Sequence, residues 1–197
     1  LIGGDGWDTA RYDFSAAASG VVFDGSALMP GAVVDLADGH GGTDRLEGIE
    51  RLQVYGSNHA DSLHGSAGDD YIYAYAGNDT VLGGAGHDGL FGGQGDDSLV
   101  GSAGDDWLSG DTGNDTLIGG DGYDTAYFYL WNAGAGVLFD GATHTASATS
   151  NIADGTGGID WLDGIERLYV EASSHADTLR GGAGDDYLSG NPGDDSL

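Results

Sequence analysis

A glycine-rich pattern, Gly-Gly-x-Gly-x-Asp, recurs every nine residues and constrains this chain more than any other feature. Eight units run in tandem from Gly56 to Tyr127. Further units begin at Gly3, Ala172, Gly181 and Gly190. A short fixed period is the signature of a repeat architecture, in which each unit packs mainly on its neighbours. The chain is therefore expected to form a solenoid.

Two positions of the nine-residue unit keep their character throughout. Position 8 is always apolar, whereas positions 7 and 9 are mostly polar, aromatic or small. This alternation predicts a three-residue strand with one inward side chain. Position 6 is always aspartate: Asp8, Asp61, Asp70, Asp79, Asp88, Asp97, Asp106, Asp115, Asp124, Asp177, Asp186 and Asp195.

Carboxylates and glycine carbonyls are the oxygen ligands that a flexible Ca²⁺ site requires. We therefore predict that the twelve aspartates at position 6 bind several Ca²⁺ ions, with Asp44 and Asp160 as second-rank ligands in degenerate units over 39–47 and 155–163. Units beginning at Gly56 and Ala172 depart from the pattern and are expected to be weak or empty. The predicted backbone ligands are Gly68, Gly77, Gly84, Gly86, Gly93, Gly95, Gly104, Gly113, Gly120, Gly122 and Gly184.

The predicted fold is all-β. Two nonapeptides per turn would form a right-handed parallel β-roll solenoid with strands about 4.8 Å apart. The turns that carry aspartate would then stack in two columns, with each ion between one unit and the next but one.

A second, longer period overlies the first. Residues 1–81 align with 117–197 without a gap, and 42 of those 81 positions are identical. We predict five segments: 1–11, the end of a preceding block; 12–55, an irregular insert; 56–127, the nonapeptide block; 128–171, a second insert; and 172–197, the start of a second block. The stretch 26–36, which differs between the inserts, is expected to be a surface loop. This organisation predicts a segment of a longer array.

Composition excludes several classes of partner. The chain has 33 acidic and 5 basic residues, with a formal net charge of −28, so nothing in it would neutralise nucleic acid phosphates. No apolar run approaches the about 20 residues of a transmembrane helix. A polyanion in which 40 residues are glycine is expected to stay unfolded until cations bind it.

Catalytic motifs are missing from the sequence. It contains no Gly-x-Ser-x-Gly turn, no His-Glu-x-x-His motif and no cysteine, so no catalytic residue is predicted. The isolated His59 and His175 are interpreted as turn-filling residues. Aromatic residues, Tyr73 and Trp161 among them, leave a second function open, namely binding of extracellular polysaccharide or a cell surface with Ca²⁺ in a structural role.

The unit Gly-Gly-x-Gly-x-Asp-x-U-x, where U is apolar, resembles that of the RTX, or hemolysin-type calcium-binding, family. The resemblance implies a parallel β-roll that folds on Ca²⁺ after export, type I secretion from a Gram-negative bacterium, and a location outside the cell or on its surface. It also implies a structural or spacer role within a larger toxin, adhesin or exoenzyme.

Overall fold

The described residues form β-strands and no helix in the computed structural model, which describes residues 1–37, 42–142, 144–145, 149–153 and 157–197. Nineteen strands follow one another along the chain. They are β1 Thr9–Asp13, β2 Val22–Asp24, β3 Val33–Ala37, β4 Thr43–Glu47, β5 Arg51–Tyr55, β6 Ser62–His64, β7 Tyr71–Ala76, β8 Thr80–Ala85, β9 Gly89–Gln94, β10 Ser98–Ala103, β11 Trp107–Thr112, β12 Thr116–Asp121, β13 Thr125–Tyr129, β14 Leu138–Asp140, β15 Ser150–Ala153, β16 Ile159–Asp163, β17 Arg167–Glu171, β18 Thr178–Arg180 and β19 Tyr187–Ser189.

Successive nonapeptide strands alternate between two sheets. Sheet 1 has the order β1-β5-β7-β9-β11-β13-β17-β19, and sheet 2 has the order β15-β16-β12-β10-β8-β6-β2. Within the block, each strand pairs in parallel with the strand two units later, as Ile72 with Leu90 and Val81 with Leu99. The predicted parallel β-roll, with two nonapeptides per turn, is confirmed.

The core lies between the two sheets and is built from position 8. Each inward side chain of the block, from Leu63 to Ala126, is fully buried. Because the strands pair with no shift in register, these side chains stack directly on one another along the roll. The predicted inward face is confirmed within the block, while Leu188 is half-buried and Leu197 is exposed.

The block strands are longer than the predicted three residues. Most span six residues, because the first positions of the following turn continue the parallel ladder, as where Ser102 pairs with Gly84. The start of each such turn therefore belongs to the same parallel sheet as the strand before it.

The inserts extend the same two sheets. In the first insert β5 continues sheet 1 and β2 continues sheet 2. The predicted surface loop at 26–36 is wrong in part, since Leu28 and Leu36 are buried and β3 begins at Val33. The described part of the chain contains no helix long and apolar enough to span a bilayer.

Candidate metal centre

The aspartate turns stack in two columns, one along each edge of the roll. Column 1 holds the turns that lead into sheet 2, and column 2 holds the turns that lead into sheet 1. In the block, column 1 carries Asp61, Asp79, Asp97 and Asp115, and column 2 carries Asp70, Asp88, Asp106 and Asp124. All eight side chains are buried, so each carboxylate needs a partner inside the protein.

One carboxylate oxygen of each turn is occupied by the backbone. The N–H of Asp79 donates to Oδ1 of Asp97 at 2.8 Å, and the N–H of Asp88 donates to Oδ1 of Asp106 at 2.8 Å. The same bond recurs between aspartates 18 residues apart along both columns, including Asp177 with Asp195. Oδ1 thus locks one turn onto the turn before it.

The second oxygen, Oδ2, has no hydrogen-bond donor in a set of turns that we call open turns. Five buried Oδ2 atoms without a partner belong to Asp79, Asp88, Asp97, Asp106 and Asp124. A buried, unpaired carboxylate oxygen is costly in a folded protein unless a cation neutralises it. These oxygens are therefore the best-supported metal ligands in the molecule.

The glycine at position 1 makes room beside this oxygen. A Cβ on Gly83 would lie 2.3 Å from Oδ2 of Asp88 and 2.9 Å from the carbonyl oxygen of Gly101. A Cβ on Gly101 would meet Oδ2 of Asp106 and the Gly119 carbonyl in the same way, at 2.2 and 2.8 Å. A carboxylate and a carbonyl from successive turns of one column thus border one point, which suits an oxygen-liganded cation such as Ca²⁺.

Electrostatics point the same way. Burial is the largest effect on these groups, and neighbouring carboxylates add to it. Together they raise the pKa of Asp88 to about 8, and those of Asp97 and Asp124 to about 7.

Among the described residues, no three side chains of Asp, Glu or His gather around one point. A metal site here would therefore consist of one or two carboxylates and backbone carbonyls.

Other turns, which we call capped turns, satisfy Oδ2 internally. The N–H of Ser57 donates to Oδ2 of Asp61 at 2.6 Å, and the N–H of Gly182 donates to Oδ2 of Asp186 at 2.7 Å. The aspartates of capped turns are Asp8, Asp61, Asp70, Asp177 and Asp186. Two of these turns belong to the units beginning at Gly56 and Ala172, where weak or empty sites stay a prediction.

The backbone at position 2 separates the two kinds of turn. In open turns its φ is positive, as at Gly84 (120°), Gly93 (109°) and Ser102 (90°), and position 2 residues of neighbouring open turns pair with each other, as Ser102 does with Gly84. In the capped turns of Asp61, Asp70, Asp177 and Asp186, the preceding neighbour in the column is an insert segment instead. Oδ1 of Asp70, for example, accepts the N–H of Leu52. A turn thus opens where another nonapeptide turn precedes it.

The predicted glycine ligands fall into three groups. Gly84, Gly93 and Gly120 are position 2 residues with positive φ. A second group lies at position 4 with positive φ: Gly77, Gly86, Gly95, Gly104, Gly113, Gly122 and Gly184. In this group a Cβ on Gly104 would meet the Gly86 carbonyl oxygen at 1.8 Å, so close stacking requires glycine. Gly68 has no positive φ and follows a capped position 2.

The two second-rank ligands lie in different places. Asp160 joins column 1, because its Oδ1 accepts the N–H of Asp115 at 3.0 Å, and its side chain is buried. Asp44 lies in β4, which pairs with β3 in a separate two-stranded sheet. The beginnings of the two degenerate units, 39–41 and 155–156, lie outside the described residues.

Two glutamates in the inserts were not predicted as ligands. Oε2 of Glu50 accepts the N–H of Asp8 at 3.0 Å, and Oε2 of Glu166 accepts the N–H of Asp124 at 2.7 Å. Each therefore stands where the next aspartate of column 2 would stand. The signal available in the sequence was the Gly-Ile-Glu-Arg-Leu segment common to both inserts.

The two aromatic residues proposed for sugar binding are not brought together. Tyr73 lies in sheet 1 and is stacked between Tyr55 and Phe91, with ring centroids 5.3 and 4.6 Å away. Trp161 lies on β16 in sheet 2. A different pair, Tyr71 and Trp107, is about half exposed and flanks Gly89 on adjacent strands of sheet 1.

Comparison with protein families gives one match. The model of the RTX calcium-binding nonapeptide repeat matches residues 55–90, 91–126 and 171–197, which together make up half of the chain. A search of the curated proteins found no match. The matched ranges cover all the open turns of the block and the capped turns that begin each block.

Proposed function

Because the chain belongs to the RTX calcium-binding nonapeptide repeat family, we propose that it is a calcium-dependent folding module of a secreted bacterial protein. The observation that carries the proposal is the row of buried Oδ2 atoms without hydrogen-bond donors in the open turns. Filling them with Ca²⁺ converts ion-binding free energy into folding free energy. The proposed ligands are the position 6 aspartates of the open turns, together with carbonyls of the glycines beside them.

The charge of the chain fits a switch between two compartments. With a net charge of −28, the metal-free chain repels itself, and a calcium-poor cytosol would favour the unfolded form that a type I secretion channel requires. Outside a Gram-negative cell, Ca²⁺ at the concentrations that extracellular modules sense would fill the sites. The folded roll would then act as a structural or spacer segment, without catalysis of its own, in a toxin, adhesin or exoenzyme.

The test is a Ca²⁺ titration of protein stripped with EGTA, followed by far-UV circular dichroism and calorimetry, with Mg²⁺ as the control. We expect a cooperative gain of β-structure and several ions bound, with Mg²⁺ ineffective because it releases its water reluctantly. A metal-free protein that is already folded and does not bind Ca²⁺ would refute the proposal.

A second candidate function rests on the cleft over Gly89. Its volume is about 330 Å³, and its walls are Tyr71 and Trp107, with His87 and Asp105 also lining it. Apolar ring faces beside a few hydrogen-bonding groups suit the alternating apolar and hydroxyl surfaces of a sugar ring. We propose that this cleft binds a neutral extracellular polysaccharide while Ca²⁺ keeps the roll folded.

This second function has a matched control on the opposite sheet. Glycan-array binding in saturating Ca²⁺ should be lost in Tyr71→Ala and Trp107→Ala and kept in Trp161→Ala. Equal binding by all three variants, or none by the unmodified protein, would argue against the cleft.

A further inference from the structure

The last turn of the nonapeptide block, residues 119–124, stacks on the second insert and not on another nonapeptide. Inside the block, the N–H of each position 6 aspartate donates to the next aspartate of its column, as Asp106 does to Asp124 at 2.8 Å. Asp124 itself donates to Oε2 of Glu166 at 2.7 Å. The insert thus supplies a carboxylate to the end of column 2.

Of the oxygen atoms of Asp124, only Oδ2 accepts no hydrogen bond. Its carbonyl oxygen accepts the N–H groups of Glu166 and Arg167, both at 3.0 Å, and its Oδ1 accepts the N–H of Asp106. Oδ2 has no hydrogen-bond donor, although the residue is 0 % exposed. A buried carboxylate oxygen that has no hydrogen-bond donor indicates a cation as its missing partner.

A backbone carbonyl of the insert borders the same point. A Cβ on Gly119 would lie 1.9 Å from the carbonyl oxygen of Gly164 and 2.4 Å from Oδ2 of Asp124. Inside the block, the carbonyl of the next position 1 glycine occupies this place. Gly164 is therefore the structural equivalent of a position 1 glycine, although no nonapeptide surrounds it.

We infer that Asp124, Glu166 and the carbonyl of Gly164 form a Ca²⁺ site at the junction, and that this ion docks the second insert onto the block. Glutamate suits the place, because Glu166 follows Gly164 by two residues, whereas an aspartate follows its position 1 glycine by five. The longer side chain of Glu166 compensates for this shorter stretch of backbone. This inference rests on the proposed function and adds to it that Ca²⁺ controls the order of an insert as well as that of the repeats.

The first insert provides a control built into the same chain. Gly48 and Glu50 stand against Asp8 as Gly164 and Glu166 stand against Asp124, with Oε2 of Glu50 accepting the N–H of Asp8 at 3.0 Å. The N–H of Gly4, however, donates to Oδ2 of Asp8 at 2.8 Å. Oδ2 of Asp8 thus has a donor that Oδ2 of Asp124 lacks, and no ion is assigned to this capped junction.

The experiment compares Glu166→Gln with Glu50→Gln in the whole chain. Glutamine keeps a carbonyl oxygen that accepts the aspartate N–H, so each variant loses charge and little else. Calorimetric Ca²⁺ titration should show one ion fewer, or one site weakened at least tenfold, in Glu166→Gln and in Asp124→Asn, with Glu50→Gln unchanged. Hydrogen exchange followed by mass spectrometry should show that Ca²⁺ no longer protects β17 in Glu166→Gln, while β9 and β10 remain protected.

The outcomes separate this inference from the function on which it rests. If the unmodified chain binds no Ca²⁺, the proposed function fails. If it binds Ca²⁺ and Glu166→Gln retains every ion and the protection of β17, the junction site is wrong while the function stands. Equal losses in Glu166→Gln and Glu50→Gln would also overturn the inference, because they would reflect net charge and not a local site.

Discussion

Open and capped turns are made from nearly the same sequence yet present their aspartates in opposite ways. In the capped turn of Asp70, the N–H of Ser66 closes over Oδ2, whereas in the open turn of Asp88, directly next in the column, Oδ2 has no donor. The difference lies in what precedes each turn, an insert for the first and a nonapeptide for the second. Whether Oδ2 of a turn is left free to bind a metal ion thus depends on the segment that precedes the turn in its column, and not on the sequence of the single repeat.

The comparison extends to the proton affinity of the two carboxylates. Burial raises the pKa of both, to about 6 for Asp70 and to about 8 for Asp88. The bonds from Ser66 favour the charged form of Asp70, while Asp88 has only one backbone N–H to do so. Oδ2 therefore has a hydrogen-bond donor in a capped turn, whereas in an open turn it has none until a proton or a cation binds.

The largest expected effect follows from removing Ca²⁺ at pH 8. Each open turn would then hold a buried anion without a partner, and several such penalties exceed the about 5–15 kcal/mol by which a domain is stable. We expect EGTA to abolish protection from hydrogen exchange in β8–β12. Restored protection with Ca²⁺ and not with Mg²⁺ is the control, and full protection in EGTA would contradict the distinction between the turns.

A pair of substitutions in column 1 tests the two classes directly. Asp97→Asn removes the charge from an open turn and should cost about one Ca²⁺ ion in a calorimetric titration. Asp61→Asn, in a capped turn, should keep the ion count but lose about 1–3 kcal/mol of unfolding free energy, because buried N–H groups lose an acceptor. Loss of an ion from both variants would show that the capped turns also bind metal.

The metal-free protein should be stabilised by acid. Open-turn carboxylates have folded pKa values of about 6 to 8, as at Asp106 and Asp88, against about 4 in the unfolded chain. The folded form therefore binds more protons, and stability falls as pH rises from about 4 to 8. Far-UV circular dichroism in EGTA should therefore show more β-structure at pH 5 than at pH 8.

Proton exchange gives a second measure of the same prediction. Ca²⁺ replaces the protons of the open turns, so binding at pH 5, where acid favours the protonated folded form, should release protons and its heat should vary with the ionisation enthalpy of the buffer. A heat that is independent of the buffer, together with equal β-structure in EGTA at pH 5 and pH 8, would contradict it.

Much of this arrangement was predictable from sequence, because the nine-residue period, the inward apolar residue at position 8 and the aspartate at position 6 can each be seen within a single repeat. The apolar residue at position 8 and the step of two units fixed the ladder in which Leu90 pairs with Ile72. The sequence of a single repeat does not show which segment stacks before it in its column. Asp70 and Asp88 sit in similar units, and only the stacking of inserts against the block separates them. Glu166 was missed for the same reason, because it enters column 2 from a distant segment.

The smallest expected effect comes from serine at position 2 of two turns in column 2. Ser102, in an open turn, has a φ of 90°, which disfavours a residue with a Cβ, so Ser102→Gly should stabilise the Ca²⁺-loaded protein by up to about 1 kcal/mol. Ser66, in a capped turn, has no positive φ, and its Oγ donates to Asp70. Ser66→Gly should therefore destabilise the protein by about 0.5–1.5 kcal/mol. Thermal unfolding in saturating Ca²⁺ measures both, and two changes of the same sign would show that the backbone of position 2 does not distinguish open from capped turns.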